Sequence, residues 1–335
     1  MKRLLWIFAA FLISDAVAVA AASLADKGPH AVETIEFPLL IDTVRDRKVP
    51  IKAYLPSDGG PYPLVVLSHG GGGSWEANYA QAQHLASHGY VVLAIEHVGS
   101  NTEVMKHGMR FRKNLEAMSR DANEVLGRPQ DVRFALDQAK EWSRSHPRLR
   151  GKMDLEHIGM LGHSFGAYTT FVVLGARPAL DWLQPAPGRG LGADLSDPRV
   201  VCGVALSPHA PGEPFFIESS FSTLRTPLLG ISGDKDRQQG DALPEDRKLA
   251  FKLWPAGDKY LVWIENADHT AFSDSTGSGR GMLPSQSRDK VQPIVRAATL
   301  IFFDAYLKGR REAKRLLNAD ELSKYSTPAV EVFTK

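Results

Sequence analysis

Cysteine is nearly absent, with Cys202 the single thiol in 335 residues. One cysteine forms no internal disulfide, and it leaves nothing with which to build a CxxC redox pair or a cysteine zinc site. Charge of one sign is missing too. Forty Lys and Arg against 38 Asp and Glu give a formal charge of +2, with no block of like sign. The basic face of a nucleic-acid-binding protein is therefore not present. No pair of histidines at metal-ligand spacing accompanies the acids near Asp268, which argues against a metal site. Beyond the first residues no apolar run approaches the ~20 residues that span a bilayer. Internal repeats and low-complexity linkers are also lacking. The composition that remains, 43% hydrophobic and 23% charged, is that of a globular chain. At this size about three quarters of the extended surface is buried without staples.

The N-terminus reads as an address. Met1-Lys2-Arg3 is positive, Leu4–Ile13 is apolar, and Ala-Val-Ala at 18–20 and Ala-Ala-Ala at 20–22 are small-residue cleavage sites. Together they predict a signal peptide over residues 1–22, cut between 20 and 25. Ten apolar residues before Asp15 fall short of a membrane anchor. The expectation is a secreted or periplasmic chain with no stable transmembrane segment.

Strand and helix patterns alternate from there. Thr34–Val44 and Val49–Tyr54 read as paired strands joined around Asp46-Arg47. Apolar strands follow at Leu64–Ser68, Tyr90–Glu96, His157–Gly162, Val200–Leu206, Pro227–Gly233 and Lys259–Ile264. Helical patterns fall near Ala77–His88, from Arg128-Pro129 to Arg144, over Ala167–Gly175, and over Gln292–Leu307. Pro in the first turn and apolar residues at Val132, Ala135, Leu136 and Ala139 are the signals for the second of these. Continuous apolar strands alternating with helices predict an α/β fold, a mostly parallel central sheet with helices on both faces. One catalytic domain is expected over 30–310, with a polar insertion or lid at about 99–127, a Pro/Gly-rich loop at 178–198 and a C-terminal tail at 311–335.

Gly162-His163-Ser164-Phe165-Gly166 lies between a strand and a helix. GxSxG alone is a weak signal, but this context makes it a nucleophile elbow. The glycines clear side chains from a sharp turn that lifts the serine hydroxyl above the sheet. An N-cap serine would not require both glycines. A hydroxyl needs a base, and His269 stands on a short loop after a late strand. Asp234 and Asp236, in Gly233-Asp-Lys-Asp236, follow an earlier strand, and either could orient the imidazole. The order Ser, Asp, His is that of the α/β-hydrolases, not of chymotrypsin or subtilisin. Ser68-His69-Gly70-Gly71-Gly72-Gly73 occupies the place of an HGGG-type oxyanion loop, and the amides of Gly71 and Phe165 are the expected donors. A phosphate loop is disfavoured because no Lys-Ser/Thr follows.

These motifs resemble the α/β-hydrolase family, and within it the predicted dienelactone hydrolases and the secreted platelet-activating-factor acetylhydrolases. The resemblance spans about residues 60–275. It is carried by VVLSHGGGGS (Val65–Ser74), HGYVVLAIEHVGSN (His88–Asn101), the RPxDV helix start (Arg128–Val132), GHSFGAYT (Gly162–Thr169) and GDKD…ADH. It implies hydrolysis of small-molecule or lipid-like carboxylic esters with no cofactor, and it assigns the triad acid to Asp236. Two departures stand out. Dienelactone hydrolases carry a cysteine where this elbow has Ser164, and cutinase-type polyester hydrolases usually carry Met where it has Phe165.

Trp75, His209 and Phe215 are candidates for the substrate pocket, with ordinary packing the competing reading. Glu96-His97 ends a strand on the side of the site. The reading that follows is an exported serine esterase favouring short acyl groups. Lipase or polyester hydrolase, amide or peptide hydrolase, and a catalytically silent binding scaffold are the alternatives. Dehalogenase and epoxide hydrolase chemistry would need an Asp at the elbow.

Overall fold

The computed structural model describes residues 23–106, 111–237, 243–274 and 285–335. The expected signal peptide at 1–22 lies outside the described residues. In chain order the elements are β1 (Val32–Phe37), β2 (Ile41–Asp42), β3 (Arg47–Lys48), β4 (Ile51–Pro56), β5 (Tyr62–Ser68), α1 (Tyr79–Ser87), β6 (Val91–Ile95), α2 (Thr102–Lys106), α3 (Phe111–Arg120), α4 (Ala122–Ser145), β7 (Met153–His163), α5 (Phe165–Val173), β8 (Val200–Leu206), β9 (Leu228–Lys235), α6 (Pro244–Leu253), β10 (Lys259–Asp268), α7 (Arg288–Tyr306), α8 (Ala319–Leu322) and β11 (Val330–Thr334).

Among the described residues nine strands form one sheet in the order β1-β4-β6-β5-β7-β8-β9-β10-β11. From β6 to β10 every neighbour is parallel, and β1, β4 and β11 add antiparallel margins. The strands read as unbroken apolar runs because successive side chains enter opposite cores. Leu64, Val66, Leu93 and Ile95 join Val132, Leu136 and Phe171 from α4 and α5 on one face. Val65, Leu67, Val92 and Ala94 join Leu85, Ile294 and Ile301 from α1 and α7 on the other. This is the α/β-hydrolase architecture, and the parallel strands end along one edge that carries the candidate site.

Two segments differ from expectation, the start of α4 and the C-terminal tail, and a third gains a secondary structure. The helix predicted to open at Arg128-Pro129 begins at Ala122, where the Asp121 carboxylate caps it by accepting from the Asn123 amide at 2.8 Å. Pro129 is therefore interior, and proline cannot donate to the carbonyl four residues back. That carbonyl, on buried Val125, accepts instead from the Tyr168 hydroxyl of α5 at 3.0 Å. The described part of the expected insertion at 99–127 is helical: α2, α3 and the first turns of α4. The expected tail at 311–335 contains α8 and β11, and β11 pairs antiparallel with β10 from Ile264↔Val330 to Tyr260↔Thr334. Its two or three apolar residues in alternation were too short a signal to read as a strand.

Candidate active site

Three parallel strands deliver three side chains to one point. β7 runs into α5 through Ser164, which holds φ 54° and ψ −117°, a conformation costing an L-residue on the order of 1–3 kcal/mol. The flanking glycines are required by contact. A Cβ on Gly162 would overlap the Gly166 carbonyl oxygen, and one on Gly166 would overlap that of Ser68. β9 ends at Lys235, immediately before Asp236, and β10 ends at Asp268. The Asp268 carboxylate caps the short turn His269–Phe272, accepting from Thr270 N at 2.9 Å and Ala271 N at 3.2 Å.

His269 Nε2 stands 3.0 Å from Ser164 Oγ, and His269 Nδ1 stands 2.8 Å from Asp236 Oδ1. Of the two candidate acids, Asp236 is the one brought to His269. Asp234 is exposed and accepts from the Asn266 amide at 2.6 Å. The Asp236 side chain is fully buried, whereas that of His269 is 25% exposed, so the imidazole is reachable and its orienting carboxylate is not.

Burial on its own would push the Asp236 carboxyl up. Arg247, together with hydrogen bonds from His269 and Ser232, outweighs it and holds the group well below the usual carboxylate range. Arg247 Nη2 donates to Asp236 Oδ1 at 3.0 Å, Nε donates to the Asp236 carbonyl at 3.0 Å and Nη1 to the Pro208 carbonyl at 2.5 Å. Ser232 Oγ donates to Oδ2 at 2.7 Å and Ser207 Oγ to Oδ1 at 2.9 Å, the latter also 2.9 Å from His269 Nδ1. Arg247 escaped the sequence reading. Its one signal is helical period: in α6 it shares the buried face with Pro244, Ala250 and Phe251, where an arginine needs an anion.

Two further histidines brace the elbow. Burial, reinforced by neighbouring His269, lowers His163 to about 3, so the ring is neutral and its Nε2–H donates to the His269 carbonyl at 3.0 Å. His209 Nε2–H donates to the Ser164 carbonyl at 3.0 Å. Phe215, expected in the pocket, belongs to the core. It is 3% exposed and stacks on Phe165 at 5.0 Å and on Tyr168 at 4.5 Å between ring centroids. Three rings hide more apolar area packed on one another than one of them would against solvent. Trp75 is half-buried against the α1/α7 core, its amide donating to Glu96 Oε2 at 2.8 Å.

The glycine loop closes on the elbow from the β5 side. A Cβ on Gly70 would stand 3.4 Å from Ser164 Cβ, and one on Gly71 would stand 3.8 Å from Phe165 Cδ1. The loop is pinned by Gly72 N donating to Ser100 O at 2.9 Å and Gly73 N to Gly70 O at 3.1 Å. Above it, Leu115 Cδ1 and Met105 Cγ stand 2.7 and 2.6 Å from where a Cβ on Gly71 and on Gly72 would be. Gly72 has φ +74° besides, so it is required both by conformation and by space. Among the described residues no group of three or more His, Cys, Asp or Glu side chains could hold a metal ion. None of the described helices is long and apolar enough to cross a membrane.

A family model described as "Platelet-activating factor acetylhydrolase, isoform II" matches residues 35–135. The chain has the α/β-hydrolase fold and resembles the platelet-activating-factor acetylhydrolases. The platelet-activating factor acetylhydrolase of Cavia porcellus is 24% identical over 305 residues, covering 78% of this chain and 61% of that protein. The acetylhydrolase of Canis lupus familiaris is 24% identical over 258 residues, 65% of this chain and 49% of its own. Cutinase est1 of Thermobifida alba is 24% identical over 179 residues, 51% of this chain and 52% of its own. The chain thus spans between 49% and 61% of the length of these relatives. The matched window 35–135 holds the glycine loop, His97 and the Arg128–Asp131 turn of α4, and stops before Ser164.

Proposed function

We propose that this α/β-hydrolase is an exported serine esterase cleaving carboxylic esters, with acetyl and other short acyl esters foremost, through an acyl-enzyme. Ser164 Oγ attacks the ester carbonyl while His269 Nε2 takes its proton. The amides of Gly71 and Phe165 receive the oxyanion, and His269 returns the proton to the departing alcohol. Water, activated by the same imidazole, then releases the acid and restores Ser164. Asp236 keeps the imidazole in the tautomer that accepts from serine and stabilises the imidazolium formed on attack.

The observation that carries this reading is the hydrogen-bonded chain from Ser164 through His269 to buried Asp236, built on a strained elbow. Kinship with acetylhydrolases and a cutinase supports an ester as the bond cleaved. The side chains of Met105 and Leu115 crowd Gly72 and Gly71, which supports a small acyl group. Export rests on the signal expected at residues 1–22.

The test is turnover across p-nitrophenyl esters from acetate to palmitate, with Ser164→Ala in parallel and a fluorophosphonate probe to mark the nucleophile. Activity highest on acetate to butyrate, absent in Ser164→Ala together with probe labelling, is the expected outcome. Labelling or turnover that persists in Ser164→Ala would refute the nucleophile, and a maximum at long chains would refute the short-acyl preference in favour of a lipase or polyester hydrolase.

A further inference from the structure

Beneath the glycine loop lies a second Ser–His–Asp chain that the proposed chemistry does not use. Ser68 Oγ stands 2.9 Å from His97 Nε2, and His97 Nδ1 stands 2.8 Å from Asp131 Oδ2. All three residues have 0% exposure, so no substrate reaches Ser68 and this is not another active site. Its connections run instead to the oxyanion loop. The His97 backbone N–H donates to His69 Nε2 at 3.0 Å, which leaves His69 the tautomer with its proton on Nδ1. That N–H donates to the Gly70 carbonyl at 2.6 Å, and burial keeps both imidazoles neutral.

Asp131 itself is fixed by two arginines from the β2–β3 hairpin, Arg45 Nη1 at 2.8 Å and Arg47 Nε at 2.9 Å. Arg128, one turn earlier on α4 and fully buried, closes the frame. It donates through Nη1 to the His69 carbonyl at 2.7 Å and through Nε to Ser100 Oγ at 3.0 Å, and its guanidinium lies 3.9 Å over the Phe165 ring. The backbone carbonyl of the same Ser100 accepts from Gly72 N. Both proposed oxyanion donors are thus flanked by this one network: Gly71 through its neighbours Gly70 and Gly72, and Phe165 through Arg128. A buried imidazole satisfied on both nitrogens has one orientation, and a main chain bonded to it inherits that rigidity.

We propose that Ser68, His97, Asp131 and Arg128 are positioning residues that hold the glycine loop where the Gly71 amide meets the developing oxyanion. The inference rests on the esterase reading above, because it assigns no chemistry of its own.

The test uses the whole chain with Ser68→Ala, His97→Asn, which keeps a donor toward Asp131, and His97→Ala. The expected result is a fall in kcat of about 10²-fold for His97→Ala with KM within about twofold, since misplacing or losing one oxyanion donor costs about that much. His97→Asn should recover part of the loss, and Ser68→Ala should lose about three- to tenfold. Affinity for a trifluoromethyl ketone, which forms an oxyanion on Ser164, should fall by the same factor as kcat/KM. The pH profile should keep its midpoints, because the His269–Asp236 pair is untouched.

Unchanged kcat in both Ser68→Ala and His97→Asn would overturn the positioning role, as would losses that appear in KM or as a shifted pH profile. If His97→Ala yields no folded protein, those two variants decide the matter. Wild-type protein with no Ser164-dependent ester turnover is a separate result. It would refute the esterase reading itself, and the positioning role with it.

Discussion

Replacing Arg247 by Met tests how the buried acid is kept ionised. The guanidinium is 1% exposed and lies 3.0 Å from an Asp236 oxygen that is wholly buried. At an effective dielectric constant of about 20, two unit charges at that separation attract by about 5 kcal/mol. That is enough to return the carboxyl to the ordinary aspartate range or above it. Met keeps the volume of the stem but leaves the carbonyls of Asp236 and Pro208 without their donors. Breaking a buried pair from one side costs about 3–5 kcal/mol, a large share of the ~5–15 kcal/mol that stabilises a domain.

The pH dependence carries the sharper signature. A carboxyl depressed in the folded state contributes stability that is complete above its unfolded value, about 3.9. That contribution is lost as pH falls toward the folded value. Urea melts of wild type and Arg247→Met should therefore differ by a constant amount above about pH 5 and converge below about pH 4. In activity, kcat/KM of the variant should fall more steeply than wild type toward acid pH, as Asp236 protonates and stops orienting His269. A stability gap independent of pH from 2 to 7, or a variant whose kcat/KM follows the wild-type pH profile down to pH 4, would refute the reasoning.

Ser207→Ala removes the hydroxyl that bridges Asp236 and His269. A fall in kcat/KM of about three- to tenfold on p-nitrophenyl acetate is expected, the equivalent of one net hydrogen bond of ~1 kcal/mol. Tyr168→Phe deprives the Val125 carbonyl of the donor that replaces the one Pro129 lacks. Urea denaturation should show a loss of about 1–2 kcal/mol, and the double variant with Pro129→Ala should recover part of it, because an alanine amide donates where proline does not.

The parts legible in the sequence are those whose cause is local. Gly162 and Gly166 announce the elbow because each would collide with backbone if it carried a Cβ, and no other residue type can stand there. The parallel strands announce themselves because residues entering two different cores are apolar in succession. Ser164, His269 and the Asp234/Asp236 pair follow strands at a common sheet edge, so order and loop position bring them out; the resemblance favours Asp236 of the two acids, and its contact with His269 is what the structure adds.

What was not legible depends on distant partners. The start of α4 at Ala122 was hidden because a proline seven residues later looked like a beginning, and the hydroxyl that lets the helix pass through it comes from Tyr168. Arg247 is defined only by meeting Asp236 across the β9–α6 connection. His97 is marked in the sequence only as the end of a strand on the side of the site, since nothing nearby points to Ser68 or Asp131. β11 has few residues and finds its place only against β10.

The division between α4 and the α2–α3 pair bears on how this chain could be diversified. The inner face of α4 is committed on every side, with Arg128 and Asp131 tied to the glycine loop and Val125 to Tyr168. Met105, Leu115 and Met118 cover the same loop from elements that hold no member of the Ser164–His269–Asp236 chain. A mutant library confined to those three positions would vary the shape presented to a substrate while leaving the reaction coordinate alone, whereas one spread over α4 would return mostly dead clones. Novelty in this chain has a cheap address and an expensive one, separated by a single aspartate cap at residue 121.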